Sequence, residues 1–241
     1  MASNRSKKKL MSILQKFSLV LAGTAVVFIS ANPASAVSLT KGGSAPVAGE
    51  GSKSTIPGAL VVDFNSGTAT DPNGFVTYSA TNGIVQGSQS GEYATPFGDT
   101  SKYLTISPAG DNVAGGTGSV TLTFAKAIDY FGLYWGSVDT YNFVDVYSKG
   151  TLLKTFSGSD VPGAQATGSW TSNADNVFVN ILAGSGESFD KIVLRSNGRA
   201  FETDNHTYRL ADVPEPTSML ALLAFGALSA GSLTKRKSKM V

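Results

Sequence analysis

From Leu60 to Leu210 the apolar residues of this chain come in short runs, none spaced to give an amphipathic helix, and each closes on a cluster of Gly, Asn, Asp, Ser or Pro. Runs of that length between turn residues are strand signals. Ten candidate strands follow: Leu60 to Phe64, Phe75 to Ser79, Tyr103 to Ser107, Ser119 to Phe124, Tyr130 to Trp135, Phe143 to Tyr147, Leu152 to Phe156, Val177 to Leu182, Phe189 to Leu194 and Ala200 to Leu210. In the fourth, Val120, Leu122 and Phe124 alternate with Ser119, Thr121 and Thr123, the period of two that a strand with one buried face requires. The turns carry their own chemistry. Asp71-Pro72-Asn73-Gly74 is a strong turn, Ser148-Lys149-Gly150 suits a tight hairpin, and Asn197-Gly198 predicts positive φ at both positions. The expected fold is all-β: a single β-sandwich, jelly-roll-like, over residues 59–212. About 150 residues bury one substantial core without disulfides, and the chain has no cysteine.

The two ends read differently. Residues 1–36 have a basic start, an apolar stretch from Phe17 to Ile29 and the small residues Ala34 and Ala36 bracketing Ser35, the pattern of a secretory signal peptide cut after Ala36. Residues 37–58 are rich in Gly, Ser, Ala and Pro without a hydrophobic period, which predicts a flexible spacer. Residues 213–241 contain Pro214, Glu215 and Pro216, an apolar run over 217–233 and the basic cluster Lys235, Arg236, Lys237 and Lys239. As a helix that run rises ~25 Å, enough for a thin hydrocarbon core, and the basic cluster predicts a cytoplasmic anchor with the rest of the chain outside.

The order Pro-Glu-Pro, apolar helix, basic finish resembles the PEP-CTERM sorting signal of Gram-negative bacteria that make exopolysaccharide. The resemblance covers about the last 29 residues. It implies recognition by exosortase, a membrane enzyme of the transpeptidase type, with the helix removed and the ectodomain released or attached at the surface; the alternative is a permanent single-pass anchor. The same tail is similar to one known as the C-terminal domain of ice-binding proteins, a label that names no activity here, because only Thr121-Leu122-Thr123 has even local Thr-x-Thr spacing. The segments Phe131 to Asn142 and Ala200 to Asn205 are similar to parts of a family of cyanobacterial-type exosortase-dependent surface proteins. That family is defined by location and supplies no mechanism.

Charge separates the middle from the ends. Nine of the 19 basic residues lie in 1–36 and 217–241, leaving ten against all 17 acidic ones in 37–216, a net of −7. Such a domain repels a phosphate backbone, so nucleic acid is not an expected partner. Nucleophile-elbow, zincin and phosphate-loop motifs are absent, and the lone His206 offers little for a relay. The chain is therefore expected not to be an enzyme and to have no catalytic residues.

Two binding chemistries stay open. Tyr134, Trp135, Tyr141 and Trp170 are candidates to stack on sugar rings; Tyr134 and Trp135, adjacent in a strand, should point to opposite faces, one into the core and one outward. Asp63, Glu202, Asp204 and Asn205 supply hard oxygens for a structural calcium, with Glu202 and Asp204 on one strand face; no other cofactor is expected. The expected function is that of an exported cell-surface or extracellular-matrix protein, transiently anchored in the inner membrane, with a structural or adhesive role in the envelope or exopolysaccharide. Its processing partners would be signal peptidase and exosortase, with exopolysaccharide as a binding partner. The alternative is a carbohydrate-binding, lectin-like module, ahead of a secreted glycoside hydrolase.

Overall fold

The computed structural model describes residues 37–212 except Ala48 and Thr81. The signal peptide with Ala34 and Ala36, the motif Pro214 to Pro216, the 217–233 helix and the basic cluster from Lys235 to Lys239 lie outside the described residues. The rest is all-β. In chain order the strands are β1 (Ser38–Gly42), β2 (Leu60–Val62), β3 (Val76–Tyr78), β4 (Ile84–Gln86), β5 (Lys102–Ile106), β6 (Ser119–Gly136), β7 (Asn142–Ser148), β8 (Thr151–Ser157), β9 (Val177–Leu182), β10 (Phe189–Ser196) and β11 (Phe201–Leu210), with a single 3-10 turn at Gly158–Asp160.

Strand β6 merges two of the expected strands. Its first part keeps the alternation, with Val120, Leu122 and Phe124 buried, and pairs antiparallel with β10 on one edge and β3 on the other, Leu122 facing Ile192 and Tyr78. Ala125, Lys126 and Ala127 are then exposed in a row. The register with β10 slips there, Thr123 pairing with Lys191 but Ile128 with Phe189, which is how a long strand turns a corner. Beyond the slip, β6 changes partners to β9 and β11, Leu133 facing Val179 and Trp135 facing Thr203. One half of the network runs β3-β6-β10-β7-β8; the other has β1-β9-β6-β11-β5-β4, with β2 on the far end of β11. Phe124 and Leu122 from the first half and Phe131, Leu133 and Trp135 from the second join one hydrophobic cluster with Val144, Ile192, Val179 and Phe201.

The turns at 71–74 and 148–150 form as expected. The Gly74 amide donates to the Asp71 carbonyl at 3.1 Å with φ +74°, while Lys149 and Gly150 both take positive φ in a two-residue hairpin, Ser148 pairing with Thr151. Asn197-Gly198 does not. Neither residue adopts positive φ; the Asn197 amide instead donates to the Tyr141 carbonyl, and Gly198 leaves room for the Tyr141 ring, which a Cβ there would meet at 2.6 Å.

The expected spacer is a further correction. Residues 38–42 form β1, paired in register with β9 from Ser38–Leu182 to Gly42–Phe178, and the segment after it is held by polar contacts that need no hydrophobic period. The Asn205 side-chain amide donates to the Glu50 and Ser52 carbonyls at 2.7 and 3.1 Å, Ser52 Oγ donates to the Ser44 carbonyl, and Ser54 shares a 2.8 Å hydrogen bond with the Tyr130 hydroxyl. This stretch covers the outer face of the second half of β6, with Gly51 close enough that a Cβ would meet the Tyr134 ring at 2.6 Å.

Asn205 itself sits at φ +50°, where asparagine is among the better tolerated residues. Its extra position in β11 shifts the register, Asp204 facing Tyr134 but Thr207 facing Gly132. That shift puts Glu202 and Asp204 on the outer face and Tyr208 in the core. Asn205→Gly keeps the backbone angle and removes the side-chain hydrogen bonds, so it should cost ~1–3 kcal/mol. Hydrogen exchange should quicken at the Val47 and Lys53 amides while the β6 amides stay protected; uniform protection would refute this role.

Candidate functional site

The antiparallel pairing of β6 with β11 brings the end of one and the start of the other to the same edge, and a cleft of about 520 Å³ opens there. Its walls come from Ser88–Ala94, Ser137–Tyr141, Gly168–Trp170 and Arg199–Glu202. Trp170 is 54% exposed on the rim. Tyr141 is half-buried, its ring over Gly198 and its hydroxyl donating to the Arg199 carbonyl at 2.8 Å.

Two buried polar side chains just before β9 fix these loops. Asp175 accepts from the Gln165, Ala166 and Thr167 amides at 2.8, 3.0 and 3.1 Å and from the Thr167 hydroxyl at 2.5 Å. Burial pulls its carboxyl upward, but the Thr167 hydroxyl and the three amides hold it below the ordinary carboxylate range. Asn176 uses all of its hydrogen-bonding capacity. Its carbonyl oxygen accepts from the Phe97 and Ser137 amides, each at 3.0 Å, and its NH2 donates to the Ser169 and Ser172 carbonyls, each at 2.8 Å. One side chain thereby joins two of the segments that frame the cleft, at Ser137 and Ser169, and ties both to Phe97.

The floor holds two carboxyls. Glu202, 2% exposed, accepts from the Ala94 amide and the Ser137 hydroxyl, both at 2.9 Å. Asp139, 4% exposed, accepts from the Tyr141 amide at 3.2 Å and the Asn142 side-chain amide at 3.1 Å. Burial pushes Glu202 up to about 7, with the charge of Asp139 adding to the rise; burial likewise pushes Asp139 up to about 7 against its hydrogen bonds.

Of the four aromatic residues expected to meet sugar, Tyr141 and Trp170 converge on this cleft. The expectation that one of Tyr134 and Trp135 faces outward is overturned, since both are fully buried. Trp135 packs on Phe201 with ring centroids 4.6 Å apart. Tyr134 does point to the outer face, but the 43–58 and 87–101 segments cover it, its hydroxyl donating to the Phe97 carbonyl. Adjacent strand positions do face opposite ways; this sheet is covered on both sides.

The calcium set does not assemble. Asp63 is exposed and accepts from the Asn65 amide. Glu202 turns to the cleft, and the NH2 of Asn205 is spent on the carbonyls of Glu50 and Ser52. Asp204 faces Asp99 instead, the two linked through the Ser101 hydroxyl at 3.3 and 2.5 Å. Among the described residues no group of three or more His, Asp or Glu is placed to hold a metal. Sequence reading missed Asn176, Asp99 and the floor role of Asp139. An Asp-Asn pair ahead of a strand signals a turn, and nothing in it distinguishes a bracket between loops. No protein-family model, curated protein or solved structure matches the chain.

Asp204 supplies a pH test. Burial, reinforced by Asp99, pushes its carboxyl from 3.8 up to about 10. The folded chain therefore holds this proton more tightly than the unfolded one, so the contribution is complete below about pH 4 and is lost as pH rises towards about 10. Asp204→Asn carries no such loss. Its Tm relative to the parent should climb by ~5 °C or more between about pH 5 and pH 9, and a difference independent of pH would contradict the assignment.

Proposed function

We propose that the protein is an exported, exosortase-processed component of the cell surface or extracellular matrix, with a structural and adhesive role, and that it adheres through a carbohydrate-binding cleft in a β-sandwich ectodomain. The sandwich reading is supported by the division of the strand network at the β6 corner, with both halves contributing side chains to one apolar cluster. The export reading rests on Ala34 and Ala36 at one end and Pro214, Glu215 and Pro216 ahead of an apolar run at the other. Signal peptidase and exosortase are the processing partners it implies. Pro214 to Pro216 are then substrate residues of the sorting enzyme.

The observation that carries the binding reading is the meeting of exposed Trp170 and half-buried Tyr141 in one cleft. An indole on a rim fixed by Asp175 and Asn176 gives a sugar ring a flat apolar partner with little ordering cost. The polar side chains of Ser88, Gln89 and Ser90 also line the cleft. The proposal calls on no metal and no bond-breaking step.

Trp170→Ala should weaken retention of the full chain in gels containing exopolysaccharide by tenfold or more and leave Tm within ~1 °C, because the ring buries little against the fold. Retention that survives with the fold intact would sink the binding reading. For sorting, replacing Pro214-Glu215-Pro216 by alanines should leave the C-terminal segment on the surface-delivered protein, a difference mass spectrometry reads directly. An unchanged mature mass would refute exosortase processing at this motif.

A further inference from the structure

The charges around the cleft are unequal in a way that bears on its ligand. Four charged residues line it: Glu92, Asp139, Arg199 and Glu202. The one cation is engaged outside the floor, since Arg199 Nε donates to Asp111 Oδ2 at 2.7 Å and its Nη1 to the Gly91 carbonyl at 3.3 Å. The two floor carboxyls have only neutral donors, and neither forms an ion pair among the described residues. Each oxygen of Glu202 accepts one hydrogen bond from another residue's amide or hydroxyl, and a carboxylate oxygen has room for a second; Asp139 has the Tyr141 hydroxyl and the Asn142 amide facing it as well. Buried acidic groups side by side without a cation are unfavourable as charged species, and a cation reaching them from the open side of the cleft relieves that. Tyr141 and Trp170 stand where the rest of such a ligand would lie, and aromatic faces also attract cations.

Resting on the glycan-binding reading above, we propose that the cleft selects glycans bearing free protonated amines, that is, partly de-N-acetylated hexosamine polymers, with the ammonium held against Glu202 and Asp139 and the sugar face on Trp170 and Tyr141. An N-acetyl group in that place removes the charge and brings a methyl against the carboxyls; a uronate brings a like charge.

The pair makes the binding visible as a proton count. Burial pushes both floor carboxyls up to about 7, and an ammonium beside them favours their ionised form, so binding an amine that already carries its proton, at about pH 6 or below, releases protons. The other groups facing them hold one charge state there. Burial keeps the Tyr103 and Tyr141 phenols neutral, Asp175 is held low by its donors, and Arg199 stays charged on Asp111 with Glu92 nearby.

The full chain is titrated calorimetrically at about pH 6, where the sugar amine starts out charged, in two buffers of different ionisation enthalpy, with equal-length oligomers of glucosamine, N-acetylglucosamine and a uronic acid. The glucosamine oligomer should bind at least tenfold tighter than the acetylated one with net proton release, and the uronate should bind least. Equal or tighter binding of the acetylated oligomer, or of the uronate, overturns the amine inference and leaves glycan binding standing. No heat with any of the three from folded protein overturns the glycan reading itself. Glu202→Gln keeps its neighbours' hydrogen bonds, since the Ser137 hydroxyl can turn to accept from the new NH2, whereas Asp139→Asn sets its NH2 against that of Asn142 and gives up that bond; each should erase the preference and reduce the proton release, and an unchanged preference in Glu202→Gln refutes the placement of the amine. The comparison among oligomers on the parent chain decides the question even where a variant fails to fold.

Discussion

The structure depends on hydrogen bonding along both edges of one 18-residue strand, β6. Four strands pair with it directly, β3 and β10 on its first part and β9 and β11 on its second. Most of the others reach it through one of these. A strand satisfied on both edges has no free ladder to offer a second chain, and its burial pattern changes along its length accordingly. The first part buries alternate residues, while in the second every residue from Tyr130 to Gly136 is buried. The three exposed residues between them, Ala125 to Ala127, are where alternation gives way to a corner.

The cleft inherits its position from that strand but its shape from polar side chains. Phe131, Leu133 and Trp135 give the second part of β6 its apolar attachment, each worth ~1.5–3 kcal/mol on burial, and none of them touches the opening. The walls are irregular chain whose backbone groups need partners, which Asp175 and Asn176 supply. Asp175 keeps its charge through four donors, whereas Asp204 sits beside another carboxyl and keeps its proton. Both residues are buried acids in the same domain; the difference lies in what was placed around them.

The strands were legible wherever a run of β-formers met a turn cluster, and β9 matches its expected limits at Val177 and Leu182. Two strands escaped for opposite reasons. In β1 the sequence Ser-Leu-Thr-Lys-Gly has one apolar residue, because an edge strand exposed along most of its length needs no more. In β4 the run Ile-Val-Gln is cut off at both ends by Gly83 and Gly87, whereas the equally short β2 and β3 sit inside longer runs of β-formers. The merging of two expected strands into β6 was hidden by Ala125-Lys126-Ala127, which reads as a break and is a bend. The site was half legible. Tyr141 and Trp170 could be named as aromatic and polar-flanked, but the burial of Tyr134 depends on a glycine-rich segment folding back over it. Local composition does not encode a contact between Asn205 and residues 155 and 153 positions earlier.

The pairing of β1 with β9 also sets an order in time. Ser38 meets Leu182, about 140 residues further along the chain. At synthesis rates of roughly 5–20 residues per second, β1 is made roughly 7–30 s before its partner. A long apolar strand left open for that interval would invite wrong pairings. Five residues with a lysine and a terminal glycine are a poor template for them, so the weak character that hides β1 from a sequence reading also lets it wait safely.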